Sequence, residues 1–443
     1  MAELLHQKGV QNLVGVGETI SRHENEFKSL RRTMYSSTEK FLKDLNRHHF
    51  QKTCILIKGA RKFNFERIVE RLELKTHETV LEVDLNAMIS NYNYVRNKLK
   101  AGTKIMAMVK AFSYGSGTFE IAAALEHAGV DYLAVAYVDE GIALRESGIT
   151  TPIMVLNPET SAYTAMIRYG LEPQIYSFFT LHHFAELLRQ NPETTPYPVH
   201  IKLNTGMNRL GFETDEAAKL AQELTALGGL VDVKTVFSHL AGSDSQKFDE
   251  LTEKQIGNFH QTVAALKAHG LKNFDRHILN SGGILRHQEA QMEMVRLGLA
   301  LYGVSSNPDF RQNLQPIARL FTVISQIRNV SKGEGVGYSP KKMLEKDKKI
   351  AVIAMGYADG LPRILGNGKG CVAINDKRAP FVGDICMDMA MVDVSKIDCQ
   401  EGDRVEVFGN EISIYEMAKW QETIPYEVLT NIKQRVKRVF FKE

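Results

Sequence analysis

Short apolar runs alternate with amphipathic segments through the middle of this chain. Eight apolar runs have the length of strands and lie at about 104–110, 132–137, 152–156, 172–177, 198–204, 231–239, 276–281 and 293–297. Segments with helical periodicity lie between them, for example Phe119–His127, Asp139–Ser147, Leu181–Arg189, Thr214–Ala226 and Phe248–His269. Strands that are apolar throughout, joined by helical crossovers, predict parallel pairing under a helical cover. Eight such units predict a (β/α)8 TIM-type barrel, with a doubly wound open sheet as the alternative.

The pattern changes on both sides of this region. After residue 305 strand-like segments dominate, at Leu320–Val330, Lys349–Met355, Gly370–Ile374, Phe381–Met387, Met391–Val394, Arg404–Phe408 and Arg435–Phe441. The first 75 residues predict strands Asn12–Val16 and Cys54–Lys58 with helices at about 27–47 and 66–72. We therefore predict an α/β protein with a small α/β fragment at 1–75, a barrel at 79–305 and a C-terminal mostly-β domain at 306–443. The leading strand, residues 79–85, fits either of the two larger domains.

Composition narrows the class of protein. A chain of 443 residues is long enough for two or three domains. A net charge of +3 implies no broad attraction to nucleic acid or membrane, and no run of 18 uncharged apolar residues is present. The four cysteines form no CxxC pair, which favours a reducing compartment. We expect a cytoplasmic protein with no metal site, no nucleic-acid partner and no membrane partner.

Polar residues follow several of the predicted barrel strands. Function in such barrels lies at the carboxyl ends of the strands, and here those ends carry Lys110, Lys202 with Arg209, His239, Ser281 and Arg296. Each has a simpler explanation by itself: a lysine that reaches solvent, a core histidine, a helix cap or an ion pair. Together they would line one mouth with cations and small donors. Such a set suits a planar, anionic, phosphorylated ligand.

Several motifs in this order resemble the alanine racemase family of pyridoxal-phosphate enzymes. They are Val109–Gly117, Lys202–Gly211, Phe237–His239, Asn280-Ser281, Val295–Gly303, Gly335–Tyr338, Gly356–Gly360 and Val382–Asp388. The resemblance covers the chain from about residue 79 to the end. It implies interconversion of L-alanine and D-alanine with pyridoxal 5'-phosphate, supplying D-alanine for peptidoglycan.

The resemblance assigns roles to individual residues. Lys110 would hold the cofactor and act as the base on the D face of the substrate, and Tyr338 would act on the L face. A phenol needs cationic or hydrogen-bonding neighbours to act as a base, and His239 and Arg209 are the candidates. Arg296 would meet the pyridine nitrogen, and Arg209 and Met387 the substrate carboxylate. The phosphate would be held by Tyr114, Ser281, Gly298, Leu299 and Tyr357, with His239 beside the cofactor and Lys202 and Asp388 in support.

The resemblance also implies a homodimer in which the β domain of one subunit completes the barrel site of the other. Lys202 would be carbamylated, which would turn its repulsion from Arg209 into attraction. The chain departs from the family pattern at Phe112, Ser116 and Gln434.

Three other functions would require different sequence features. A barrel decarboxylase would place a carboxylate, not Arg296, on the pyridine nitrogen. A pyridoxal-phosphate carrier would not need the β domain, and a docking protein for cell-wall synthesis would depend on residues 1–75. That segment resembles the C-terminal end of a Mur ligase in Leu56–Arg61 and Phe65–Val69. It has no phosphate-binding loop, so it predicts either a remnant of a ligase fusion without ligase activity or a docking segment.

Overall fold

The computed structural model describes residues 2–45, 48, 50, 55–59, 63, 65–72, 77–339 and 343–442. The chain forms two compact units, Met1–Thr76 and His77–Glu443. Each is described by itself.

The first unit is a small α/β structure. Its elements are α1 Ala2–Gln7, β1 Asn12–Val16, α2 Glu18–Arg22, β2 Arg31–Tyr35, α3 Thr38–Asp44 and α4 Glu66–Leu72. Strands β1 and β2 pair in parallel, and Val16, Phe41, Leu45 and Ile68 form a small core. The predicted strand β1 is confirmed. Residues 55–58 form no strand, and Cys54 lies outside the described residues.

The prediction of one helix over residues 27–47 was wrong. Residues Arg31–Tyr35 form β2, because their backbone groups pair with β1 along its whole length. The helix begins only at Thr38, where the Ser37 hydroxyl accepts a hydrogen bond from Lys40 N at 3.4 Å. Tertiary pairing therefore overrides the local pattern in this segment.

The second unit contains the predicted barrel. Its strands, β4 to β11, are Lys104–Met108, Tyr132–Val135, Ile153–Val155, Glu172–Ile175, Tyr197–Lys202, Val231–Phe237, Asp275–His277 and Met294–Leu297. Its helices, α5 to α13, are Leu85–Arg96, Lys110–Tyr114, Phe119–His127, Val138–Glu146, Tyr163–Tyr169, Phe178–Gln190, Ala217–Ala226, Asp249–Ala268 and Ser281–Arg286. All eight strands lie where the sequence predicted them, which confirms the fold class.

Parallel pairing carries the sheet around the barrel. Neighbours follow chain order from β4 to β10, and β11 returns to pair with β4. A backbone hydrogen bond from Arg296 N to Leu279 O, 3.0 Å long, links the two ends of the sheet. Most strand residues are fully buried, as expected of strands covered on both faces. The carboxyl ends of the strands therefore lie at one mouth, where the sequence predicted the site.

The rest of the second unit is a second sheet, reached through the short helix α14, Pro308–Arg311. Its strands, β12 to β18, are Ala318–Val330, Lys348–Ile353, Cys371–Ile374, Lys377–Pro380, Ala390–Asp393, Arg404–Phe408 and Lys437–Phe441, with helices α15 Ile414–Trp420 and α16 Pro425–Thr430. The leading strand β3, Val80–Asp84, pairs with β12 and β18 of this sheet.

The predicted strand Phe381–Met387 was wrong. Gly383 has φ +69°, and a Cβ at this position would lie 2.3 Å from the Val336 carbonyl oxygen. The backbone turns there, so only Phe381 forms an isolated bridge, to Val392. Within the described residues, no helix is both long and apolar enough to cross a membrane.

Candidate active site

A left-handed turn follows the first barrel strand and carries Lys110 at its start. Residues 111–114 have φ between 48° and 55°, although none of them is glycine. The left-handed conformation costs roughly 1–2 kcal/mol for each such residue. Four in succession need support from the rest of the fold, and nothing in their local sequence predicts them.

The support comes from two directions. Ala111 N donates to the Glu140 carboxylate at 2.5 Å. The Arg438 guanidinium donates to the Gly115 carbonyl oxygen at 3.1 and 2.9 Å, and its remaining donors bind the carbonyl oxygens of Ile432, Lys433 and Val436. The C-terminal strand β18 therefore holds the turn that positions Lys110.

Gly115 ends this turn under two constraints, a φ of +80° and a close approach to another segment. A Cβ there would lie 2.2 Å from the Leu429 carbonyl oxygen. We expect Gly115→Ala to lower the free energy of unfolding by more than about 3 kcal/mol and to weaken cofactor binding, because the backbone of α16 cannot yield cheaply. Denaturant unfolding of the purified protein measures the first effect.

Gly129 provides the matched control. It has nearly the same φ, +77°, but a Cβ there would meet nothing within 4 Å. Gly129→Ala should therefore cost only about 1 kcal/mol, the cost of the backbone conformation alone. Equal losses in the two variants would contradict the steric role of Leu429.

The Lys110 amine lies in an environment that favours its neutral form. Partial burial lowers the pKa of Lys110, the charge of Arg209 lowers it further, and the Glu140 carboxylate opposes both. A neutral amine is a nucleophile toward an aldehyde, whereas an ammonium group is not. Lys110 therefore has the chemistry that covalent attachment of a carbonyl cofactor requires.

Three of the predicted phosphate-binding residues, Tyr114, Ser281 and Gly298, lie close together. Gly298 N donates to the Ser281 hydroxyl at 2.9 Å. A Cβ at Gly298 would lie 3.3 Å from the Tyr114 hydroxyl and 3.8 Å from that of Ser281. Leu299 follows at the start of a 3-10 helix. Burial raises the pKa of Tyr114, which keeps its phenol protonated as a donor. This group offers hydroxyl and backbone donors, the set that a phosphate needs.

Arg296 is held in place by hydrogen bonds from its two terminal nitrogens. Its Nη1 donates to His277 Nδ1 at 2.6 Å, and its Nη2 donates to Ser238 O at 2.6 Å and to His239 Nδ1 at 3.2 Å. Among the described residues, all its hydrogen bonds use Nη1 and Nη2. The Nε–H donor is therefore left for a ligand acceptor such as a pyridine nitrogen.

The other barrel cations surround this arginine. The charges of Lys110, Lys202, Arg209 and Arg296 all act on His239. Burial, then Arg296 and then its other neighbours hold the pKa of His239 well below its usual range, so this histidine is neutral. The sequence predicted His239 as either a cationic or a hydrogen-bonding neighbour of the Tyr338 phenol. A neutral histidine can only be a hydrogen-bonding neighbour. The structure thus brings together two arginines and three basic groups of lowered pKa, a set that suits an anionic ligand.

Lys202 is buried within this set. Its Nζ lies 4.9 Å from the centre of the Phe237 ring, and its pKa is held well below its usual value by burial, then by Arg296 and Arg209. A neutral amine is the form that reacts with CO2. The carbamylation implied by the resemblance stays a prediction.

The predicted residues of the second sheet form a separate group. Ala358 N, next to Tyr357, donates to Met387 O at 2.9 Å. Asp388 pairs with Arg435 at 2.7 Å. Tyr338 and Met387 are 75% and 53% exposed. Within the described residues, no hydrogen bond or ring contact joins Tyr338 or Tyr357 to the barrel mouth. Within the described residues of one chain, the predicted site residues therefore fall into two separate groups.

Sequence reasoning assigned no role to three residues that act on the site. His277 receives Arg296, and the Tyr302 ring packs 4.8 Å from that of Tyr114. Arg438 also lies over the ring of Phe112, one of the departures from the family pattern, at 5.3 Å. His277 follows two charged residues and Tyr302 ends an apolar run, and neither pattern signals a role at the site.

The donor set fits pyridoxal phosphate. Lys110 can hold its aldehyde carbon, the Tyr114–Ser281–Gly298 group its phosphate, and Arg296 Nε its ring nitrogen. In general such sites combine a lysine, a phosphate cradle and a partner for the pyridine nitrogen.

Comparison with known proteins agrees with this geometry. The family model for the alanine racemase N-terminal domain matches residues 83–306, and that for the C-terminal domain matches residues 317–440. The chain is 36% identical over 370 residues to an alanine racemase of Nostoc sp., covering 81% of this chain and 95% of that protein. Neither family match includes the first 82 residues.

Solved structures give the same result. Alanine racemase of Clostridium difficile 630 superposes with a TM-score of 0.77 at 35% identity, covering 82% of this chain and 96% of that one. Alanine racemase from Bartonella henselae, solved with covalently bound pyridoxal phosphate, gives 0.75 at 31% identity, covering 82% and 99%. By its two domain matches and by these relatives, the chain belongs to the alanine racemase family.

Proposed function

We propose that this protein interconverts L-alanine and D-alanine at composite sites, each built from the barrel of one subunit and the second sheet of another. As a member of its family it is a pyridoxal-phosphate-dependent racemase of alanine, an activity that serves peptidoglycan synthesis. The observation that carries the proposal is the convergence at one barrel mouth of the desolvated Lys110 amine, the phosphate-binding group and the Arg296 donor.

Racemisation requires removal of the α-proton from one face of the substrate and its return on the other, and different residues serve these steps. Pyridoxal phosphate, when bound, withdraws electrons from the α-carbon of an attached amino acid and makes its proton removable. The two enantiomers have equal free energy, so a base is needed on each face of the α-carbon. We assign the D face to Lys110 Nζ and the L face to the phenol oxygen of Tyr338. Arg209 and the Met387 backbone bind the carboxylate, with Lys202 and Asp388 in support.

Arg296 sets how strongly the cofactor withdraws electrons. An arginine stays protonated and can only donate, so the pyridine nitrogen that faces it must accept and carries no proton of its own. Electron withdrawal is weaker for an unprotonated ring. We infer that this limits side reactions such as transamination at some cost in the acidity of the α-proton.

The exposed position of Tyr338 supports the proposal of a homodimer. Large apolar side chains are exposed together on the second sheet and its loops: Tyr338, Met343, Tyr357, Ile364, Met387 and Met389. Exposed apolar groups of this size mark interaction surfaces. We propose that this surface of the C-terminal domain, residues 306–443, covers the mouth of the partner subunit's barrel. The barrel domain of each subunit is assigned to residues 79–305. Tyr357 would then join the phosphate-binding group across the interface.

Incubation with L-alanine in deuterated water tests the activity directly. We expect D-alanine that carries deuterium at the α-carbon to accumulate until the enantiomers are equal, as chiral chromatography with mass detection would show. Loss of CO2 from the substrate instead would identify a decarboxylase. Unchanged L-alanine from protein that holds the cofactor would refute the proposal.

The origin and role of residues 1–75 are a separate proposal. We infer a remnant related to the C-terminal end of a Mur ligase, without ligase activity. Its parallel strand pair and small core support an α/β origin. The same racemisation assay on residues 77–443 should give unchanged turnover. A large loss would show that the segment serves the racemase.

A cytoplasmic location is also proposed. The cysteines that the structure describes, Cys371, Cys386 and Cys399, are all free thiols, as in a reducing compartment. Cell fractionation would check this location.

A further inference from the structure

A line of buried polar side chains crosses the barrel behind Arg296. Arg296 Nη1 bonds to His277 Nδ1 at 2.6 Å, His277 Nε2 to Thr235 Oγ1 at 3.0 Å, Thr235 Oγ1 to His200 Nδ1 at 2.9 Å, and His200 Nε2 to Glu172 Oε2 at 2.8 Å. We call these five residues the barrel relay. One comes from each of five successive strands, β11, β10, β9, β8 and β7, and none is more than 9% exposed.

The two ends of the barrel relay determine the direction of its hydrogen bonds. Arginine can only donate and an ionised carboxylate can only accept. His277 Nδ1 must therefore accept, and burial together with Arg296 holds the pKa of His277 far below its usual range. A neutral His277 carries its proton on Nε2 and donates to Thr235, which leaves the threonine hydroxyl to donate to His200 Nδ1. His200 Nε2–H then donates to Glu172.

Glu172 places a negative charge at the far end of these aligned hydrogen bonds. It begins strand β7, at the end of the barrel opposite the mouth, where Tyr132 also bonds to it and the Arg145 charge faces it. At the mouth, Arg209 acts on Arg296 as a like charge. The carboxylate of Glu172 is the anionic end of a chain of aligned dipoles that terminates on Arg296. Aligned hydrogen bonds polarise one another, most strongly away from water.

We propose that Glu172 is a positioning residue for the cofactor, which acts through His200, Thr235 and His277 to fix the guanidinium of Arg296. The proposal rests on the proposed function, in which Arg296 Nε faces the pyridine nitrogen. By making His277 Nδ1 a stronger acceptor, the relay holds Nη1 in place and leaves Nε aimed at the ligand. Barrel interiors are normally filled by branched apolar residues, so five linked polar ones form an unusual core.

Two substitutions at one position separate this role from simple core packing. In the holoenzyme, Thr235→Val keeps the shape of the side chain but breaks the relay at its centre, without touching the bond between His277 and Arg296. Thr235→Ser keeps the hydroxyl. We expect the valine variant to shift the visible absorption band of the cofactor and to lower kcat about tenfold at little change in KM, whereas the serine variant matches the parent.

The imidazole nitrogens provide a readout that does not depend on activity. With ¹⁵N-labelled histidine, His277 and His200 should both show a protonated Nε2 and an accepting Nδ1. A protonated Nδ1 on either histidine would overturn the proposed direction. An unchanged cofactor band and kcat in Thr235→Val, with only lower thermal stability, would reduce the relay to packing and overturn the proposal.

If Thr235→Val does not fold, a second variant tests the same proposal. Glu172→Gln keeps an acceptor for His200 Nε2–H and removes only the charge. It should shift the cofactor band in the same direction, and no shift would refute the role of Glu172. If the parent enzyme failed to racemise alanine, the proposed function would fall, while the histidine spectra would still decide the direction of the relay.

Discussion

Lys110→Ala is expected to abolish racemisation, with a loss of more than about 10⁴-fold, and to remove the visible absorption band of the covalently held cofactor. The substitution removes both the amine that holds the cofactor and the base on the D face, and a single acid–base group commonly contributes about 10²–10⁴-fold. Partial burial, and then the charge of Arg209, lower the pKa of Lys110 and so increase the fraction of neutral amine. Absorbance of the dialysed protein and chiral analysis of the product measure the two effects.

Lys104 gives a matched control on the same strand. It lies at the opposite end of β4 from Lys110, where its amine bonds to Asp275 at 2.7 Å on the surface. Lys104→Ala should keep both the absorbance band and the activity. A Lys110→Ala protein that retained the band after dialysis and reduction would assign the cofactor to another lysine.

Tyr338→Phe is expected to keep the cofactor and lose about 10²–10⁴-fold in racemisation. The loss should be confined to proton transfer on the L face of the substrate. D-alanine should still exchange its α-proton with deuterated solvent, because Lys110 serves that face, whereas exchange from L-alanine should cease. Proton NMR of each enantiomer in deuterated water measures both rates. Tyr169→Phe removes a phenol that donates to Glu146 at the surface and to no other described residue, and it should leave both rates unchanged.

Mixing the two inactive variants tests whether the site is composite. Random reassortment of Lys110→Ala and Tyr338→Phe subunits gives half heterodimers, in each of which one site has both groups intact. About a quarter of the parental activity should return. If both groups came from one chain, every site in the mixture would lack one of them and no activity would return.

The sequence was a good guide to the barrel and to the residues at its mouth. The eight short apolar runs between amphipathic segments located all eight strands, because strands buried on both faces must be apolar throughout. Ser281 and Gly298 meet in space, and the charges of Lys110 and Arg296 both act on His239, because parallel strands end at the same mouth. The roles of these residues, and of Tyr338 and Met387, stay predictions until the variants are measured.

Local pattern failed where long-range contacts outweighed it. Arg31–Tyr35 is a strand because β1 offers it a partner, and Gly383 interrupts a predicted strand because the chain turns against Val336. The left-handed turn after Lys110 is the clearest case. Its residues disfavour the conformation individually, so the energy that maintains it comes from Arg438 and Glu140, more than 300 and about 30 residues away along the chain.

By itself, the order of apolar and polar residues determined that this protein has eight parallel strands with a β domain after them, and which polar groups follow those strands. Periodicity along one chain segment is enough for that. Only the tertiary structure decided how those groups are aimed: the twist of the Lys110 turn, the neutral state of His239 and the buried line from Arg296 to Glu172. These depend on desolvation and on hydrogen bonds between distant strands, which exist only once the chain has folded.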